Sequence, residues 1–183
     1  DVLVSRTGYT GEPGYELYFK GDEATAGKLW NTLMKAGKEE GLVPAGLAAR
    51  DSLRLEMGFS LYGNDIDSTT NPIEAGLGWI TKLNKPSFIG KEVLQKLKND
   101  GTSRKLAGII TDEKCFPRKG YTITCNGKKI GEVTSGTVSP VLEKPIALAY
   151  VESKYSVIGT KVNFLIREKE IPAIICKYPF IEK

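Results

Sequence analysis

The sequence has no histidine, so no imidazole is on hand to bind a metal or to shuttle protons near neutral pH. Cysteine is scarce. Cys115, Cys125 and Cys176 are odd in number and form no Cys-x-x-Cys pair, which argues against a zinc cluster and against a disulfide framework. A reducing compartment is the expected setting. Neither sign of charge dominates: 26 Lys and Arg against 22 Asp and Glu leave +4, too small an excess to point to nucleic acid. No apolar run approaches the roughly 18 residues needed to cross a bilayer, so no membrane span is expected. The opening residues read as a strand rather than as a targeting leader. Methionine does not open the chain either, and Asp1 inside an apparent strand reads as the start of a fragment.

What is present suits a folded core. The chain has 183 residues, 40% hydrophobic and 26% charged, enough for one ordinary domain or two small ones. Val2 to Arg6 reads as a strand. Tyr15 to Phe19 alternates, with Tyr15, Leu17 and Phe19 facing one way and Glu16 and Tyr18 the other. The period then becomes helical: Ala26, Leu29, Trp30, Leu33 and Met34 form one stripe, and Gly41 is the expected stop. Pro44 is placed to open a second helix over Ala45 to Met57, ended by Gly58. A long irregular stretch runs from Phe59 to about Leu77, the kind of loop that is functional or packed over another surface. Trp79 to Leu83 is a possible strand, and Phe88 to Asn99 a short helix.

After Gly101 the pattern changes to short strands. They are expected at Leu106–Thr111, Tyr121–Cys125, Lys129–Thr134, Ile146–Val151, Lys161–Ile166 and Ile171–Cys176. Asn126-Gly127 between two of them is a hairpin signal. Six short strands with turn chemistry and no helical period point to a small β-barrel or sandwich, and the break near Lys98 to Arg104 is the expected domain boundary.

Two places stand out chemically. The stretch Thr7-Gly8-Tyr9-Thr10-Gly11-Glu12-Pro13-Gly14-Tyr15-Glu16 holds three glycines that let backbone come close to a flat ligand. Glu16, on a strand face, can accept two parallel N–H bonds from a planar heterocycle, and Tyr9 offers a ring and a hydroxyl. The alternative is a glycine-rich turn with a surface glutamate. A strand follows these glycines, so this is not a dinucleotide loop, and no P-loop occurs. The second place is Arg50, which shares a helix face with Gly46, Leu53 and Met57 and so calls for a ligand anion or a carboxylate, Glu16 or Glu56. Four further features carry bland readings. Asn64, Asp65 and Asp67 read as a solvated acidic loop rather than a Ca²⁺ site, since the later glutamate of an EF-hand loop is lacking. Cys115 has no histidine to activate it, and Trp79 reads as core. The stretch 131–140 reads as a strand ending in a hydroxyl-rich turn.

The chain resembles the aminomethyltransferases of the glycine cleavage system, the T-protein family. The matching stretches are SRTGYTGEPGYELY at 5–18, GLAARDSLRLEMGFSLYGNDID at 46–67 and NPIEAGLGWITKLNKPSFIGKE at 71–92, then GKKIGEVTSGTVSP at 127–140, IALAYV at 146–151 and KYPF at 177–180. They follow family order and cover only the family's C-terminal half. The resemblance implies an α+β fold class, in which residues 1–100 are the C-terminal portion of an interlocked α+β folate-binding body and residues 101–183 a small antiparallel β-barrel or jelly-roll domain. It implies a cofactor-like acceptor, tetrahydrofolate, no metal, and two partners: the lipoyl-bearing carrier called H-protein, and the N-terminal half of the same protein. The family's pterin-binding glutamate falls on Glu16, its nearby tyrosine on Tyr9 and its site arginine on Arg50, with Trp79 as a further binding candidate. The family's catalytic aspartate lies in the N-terminal half, so no catalytic residue is expected in this chain and the piece alone is expected to be inactive. The resemblance implies a bacterial cytoplasmic or mitochondrial matrix setting. Related modules occur in folate-linked demethylating oxidases, the alternative reading, along with a non-catalytic docking fragment. Two departures are visible: Pro13 stands where the family commonly has aspartate, and Phe180 is followed by Ile181 rather than tyrosine.

Overall fold

The computed structural model describes residues 1–182. The chain divides into two units, Asp1–Arg54 and the residues from Leu55 onward.

In the first unit, β1 (Val2–Ser5) and β2 (Glu16–Phe19) form a two-stranded antiparallel sheet with Ser5 opposite Glu16 and Val2 opposite Phe19. Helix α1 follows (Glu23–Ala36). Asp22 caps it, its carboxylate accepting from Thr25 N at 2.9 Å and Thr25 Oγ1 at 2.7 Å. The helix ends earlier than the expected stop. Gly37 N–H closes on the Leu33 carbonyl at 2.9 Å, and Gly41 instead turns the chain beyond it. Helix α2 (Leu47–Glu56) likewise begins later than Pro44 suggests: residues 42–46 carry no regular secondary structure, and Gly46 O accepts from Arg50 N at 3.3 Å as the helix opens. Gly58 N–H bonds back to the Leu55 carbonyl at 2.8 Å and closes the end.

The second unit is built around six strands. After helix α3 (Lys91–Asp100) come β3 (Arg104–Ile110), β4 (Thr122–Cys125), β5 (Lys128–Val138), β6 (Pro145–Glu152), β7 (Lys161–Ile166) and β8 (Lys169–Cys176). They close into an antiparallel barrel in the order β3-β6-β5-β4-β7-β8. Asn126 and Gly127 both take positive φ, 50° and 73°, which sets the two-residue turn that pairs Cys125 with Lys128. The core inside the barrel includes Ile109, Ile123, Val133, Val151, Phe164 and Ile175, all essentially without solvent exposure. Burying each of these stabilises the fold by about 1.5–3 kcal/mol.

Two expectations fail here for clear reasons. Trp79 to Leu83 is not a strand: Ile80 N–H bonds to Leu77 O and Thr81 N–H to Gly78 O, so the segment coils in successive turns. The hydroxyl-rich stretch after Val133 is not a turn but the second half of β5. A bulge between Val133 and Ser135 resets the register against β6, and pairing continues to Val138.

The long segment 59–77 is anchored rather than solvated. Asp65 is fully buried and accepts from Leu61 N at 2.8 Å, from Ser135 Oγ at 2.9 Å and from Thr134 Oγ1. This corrects the expectation of a solvated acidic loop for Asp65, while Asp67 stays exposed and bonds Thr69 N and Oγ1. Glu74 pairs with Arg104 at 3.0 Å, and its backbone carbonyl accepts from Leu106 N at 2.8 Å. Glu56 accepts from Ser139 Oγ and from Val141 N at 3.1 Å.

Candidate functional site

The candidate site residues Tyr9, Glu16 and Arg50 all belong to the first unit. Glu16 is the first residue of β2, so strand pairing fixes its backbone opposite Ser5. Its carboxylate is exposed and accepts a hydrogen bond from Thr7 Oγ1. Tyr9 is half-buried, and the guanidinium of Arg50 lies over its ring, 4.6 Å from the centroid. The fold therefore pairs Arg50 with Tyr9 and Glu16 with Thr7.

This pairing revises the sequence-based account of Arg50. Its guanidinium stacks on an aromatic face instead of pairing with Glu16 or Glu56, whose carboxylates take hydroxyl partners. The reason is exposure. Arg50 is exposed, and so are Leu47 and Leu53 beside it on α2, so no buried stripe demands a counter-ion. The buried arginine is Arg54, one turn on, with Nε and Nη2 each 2.7 Å from Asp51 Oδ1. A guanidinium over an aromatic ring makes that contact through its face, a mode that does not use its in-plane N–H donors.

The loop between the strands is less dependent on glycine than its sequence suggests. Gly11 has φ 74°, a left-handed conformation that favours glycine. Gly8 and Gly14 do not: a Cβ on either would meet backbone oxygens only at 3.8–3.9 Å, ordinary contact.

Trp79 lies in the second unit, in the turn segment, and is 75% exposed, so it is not the core residue its type suggests. The three cysteines are free thiols. Burial pushes Cys115 up from its ordinary pKa and Cys176 up to about 11, which keeps both in the unreactive thiol form at neutral pH. Among the described residues no group of His, Cys, Asp and Glu side chains is placed to hold a metal ion, and no helix is long and apolar enough to cross a membrane. A groove of about 450 Å³ opens on the barrel between Thr111, Lys144, Lys161, Pro172 and Ile174, and none of the sequence-chosen residues lines it. Thr7 is the partner of Glu16 that sequence reasoning missed. Its place in the Thr-Gly-Tyr-Thr-Gly-Glu run was visible, but its contact with Glu16 depends on the strand register.

A two-stranded α+β unit carrying an oriented carboxylate and a stacked arginine, joined to a closed six-stranded barrel, defines a mixed α+β protein with a terminal antiparallel barrel. Residues 1–85 match the model for the GCVT N-terminal domain, and residues 104–182 match that for the glycine cleavage T-protein C-terminal barrel domain. The chain belongs to the glycine cleavage T-protein, or aminomethyltransferase, family. It is 51% identical over 181 residues to an aminomethyltransferase of Halothermothrix orenii, covering 99% of this chain and 50% of that protein. It is 50% identical over 182 residues to one from Bacteroides fragilis, covering 98% and 50%. The crystal structure of glycine cleavage system aminomethyltransferase T from Bartonella henselae superposes with TM-score 0.89 at 36% identity, over 99% of this chain and 50% of that one. The chain thus spans about half the length of the relatives it matches.

Proposed function

We propose that this chain supplies the pterin-holding part of a tetrahydrofolate-dependent aminomethyltransferase, which takes a one-carbon unit from the aminomethyl-lipoyl arm of a carrier protein and releases ammonia. The observation that carries the reading is the Glu16 carboxylate, fixed at a strand end and held by Thr7 within the same short unit as the Tyr9–Arg50 stack. A pterin presents a 2-amino group and a ring N–H side by side, and a carboxylate with fixed orientation accepts from both. Tetrahydrofolate, when bound, supplies the nitrogen that accepts the one-carbon unit.

The residues of this chain act by binding and orientation. Glu16 fixes the angle of the ring in its plane, which is catalysis by positioning. Tyr9 walls one side. Arg50, whose guanidinium lies over Tyr9, offers N–H donors to a carbonyl or carboxylate of the ligand. No proton transfer is assigned to these three. The remaining partners of the proposal are the lipoyl-bearing carrier, H-protein, and the other half of the longer protein. The exposed apolar side chains of the β1–β2 sheet, Leu3, Val4 and Tyr18 among them, are a surface such a segment would cover.

The test is anaerobic calorimetric titration of the full-length protein with tetrahydrofolate. Glu16→Ala should weaken binding about 100-fold, because two bonds to a charged acceptor are lost. It should leave the melting temperature within about 2 °C, since the side chain is exposed. Unchanged affinity in the folded variant would remove Glu16 from the site.

A further inference from the structure

The motif that contains Glu16 also contains the hydroxyl that holds its carboxylate, and the proposed function gives that hydroxyl no role of its own. Thr7 Oγ1 donates to Glu16 Oε2, and Ser5 Oγ lies 3.0 Å from Thr7 Oγ1. A hydroxyl has one proton to give. Thr7 commits its proton to the carboxylate, so in the second contact Ser5 is the donor. The three oxygens form a short relay, Ser5 to Thr7 to Glu16, along one edge of the sheet.

The backbone explains why these three meet. Ser5 closes β1 and Glu16 opens β2, and the two are directly opposite in the antiparallel register, with side chains on one face. Thr7 lies two residues beyond Ser5, past the end of the pairing, where the chain begins its turn. An exposed glutamate on its own samples several rotamers, and a ligand that needs one of them bears the cost of selecting it. A hydrogen bond from Thr7 to one carboxylate oxygen removes that freedom before the ligand arrives. It occupies one lone pair of Oε2 and leaves Oε1 and the second lone pair of Oε2 as acceptors for a ligand.

We propose that Thr7 is a positioning residue for Glu16: its hydroxyl, backed by Ser5, pre-orients the carboxylate for a planar heterocycle with two adjacent N–H donors. This rests on the folate reading above and adds a residue to it. Thr7 touches no reacting atom, and its effect passes entirely through Glu16.

The experiment measures tetrahydrofolate affinity in the full-length protein for Thr7→Val, Thr7→Ser, Glu16→Ala and the Thr7→Val/Glu16→Ala double variant. Valine keeps the shape of threonine and removes the hydroxyl. Serine restores the donor. Thr7→Val should weaken binding about tenfold, Thr7→Ser should recover to within about threefold of the parent, and Thr7→Val should add nothing once Glu16 is alanine. In steady-state assays the loss should appear in kcat/KM for folate and should be absent in the Glu16→Ala background. A role confined to folding would lower the melting temperature and would persist in the Glu16→Ala background, so additive losses overturn the proposal. Full affinity in Thr7→Val, beside a loss in Glu16→Ala, overturns it too while leaving the folate reading in place. Full affinity in Glu16→Ala overturns both. If Thr7→Val fails to fold, Thr7→Ala and Thr7→Ser are compared instead, and equal affinity in those two overturns the proposal.

Discussion

Tyr150 ties the barrel to the segment that precedes it. Its hydroxyl donates to the backbone carbonyl of Asp65 at 3.0 Å, and the Arg104 guanidinium lies over its ring at 4.5 Å. Burial, reinforced by the nearby Glu74 carboxylate, pushes its pKa up to about 12. The unfolded chain binds the phenolic proton less tightly than the folded one, so stability is complete below the ordinary tyrosine value and is lost as pH rises from about 10 to about 12. Tyr150→Phe should cost about 1 kcal/mol at neutral pH through the lost hydrogen bond. It should also flatten the alkaline loss in urea melts taken across that window, leaving a smaller step from Tyr178, whose pKa burial also raises. At this scale the sequence is informative about residue type and weak about partners. Glu16 and Arg50 are conspicuous because charged side chains next to glycines or leucines raise a question. Thr7 and Tyr150 raise none, because their partners lie across a register or in a distant segment.

The bulge in β5 turns a strand into a clamp. It places the hydroxyls of Thr134 and Ser135 on one carboxylate, Asp65, although the two residues are consecutive. Asp65→Ala removes that shared acceptor and leaves these hydroxyls and Leu61 N–H without it in a buried place. A loss of about 3 kcal/mol or more in urea denaturation of the full-length protein is expected. Asp65→Asn should recover part of this but not all, because its amide NH₂ would face donors. A change below about 0.5 kcal/mol for Asp65→Ala would contradict the clamp. Strand positions were largely legible, since alternation and the Asn126-Gly127 turn depend on neighbours in sequence. The bulge was not, because an extra residue breaks alternation and mimics a turn. The start of α2 differs for a related reason: Pro44 is a permissive start signal, whereas the helix opens where Gly46 O accepts from Arg50 N.

The two units differ in how they are held together. Residues 1–53 include no buried side chain, whereas β6 is buried from Pro145 to Val151 and β3 from Leu106 to Ile109. Hydrogen exchange on this chain should therefore show the barrel amides as the slowest, with α1 and the β1–β2 amides opening at much lower free energy. Equal protection in α1 and β6 would contradict this. The six-strand character of the C-terminal portion was legible because the periodicity switches after Gly101. The unburied state of the first unit was not, since its alternation and helical stripe look like those of any core-facing element. That difference also governs behaviour in concentrated solution. A closed barrel has no unpaired strand edge to offer, but the two-stranded ribbon has one on each side, with Val2, Leu3 and Val4 exposed along it. Strand-to-strand stacking of copies through this ribbon, rather than any failure of the barrel, will set the solubility ceiling of the isolated chain.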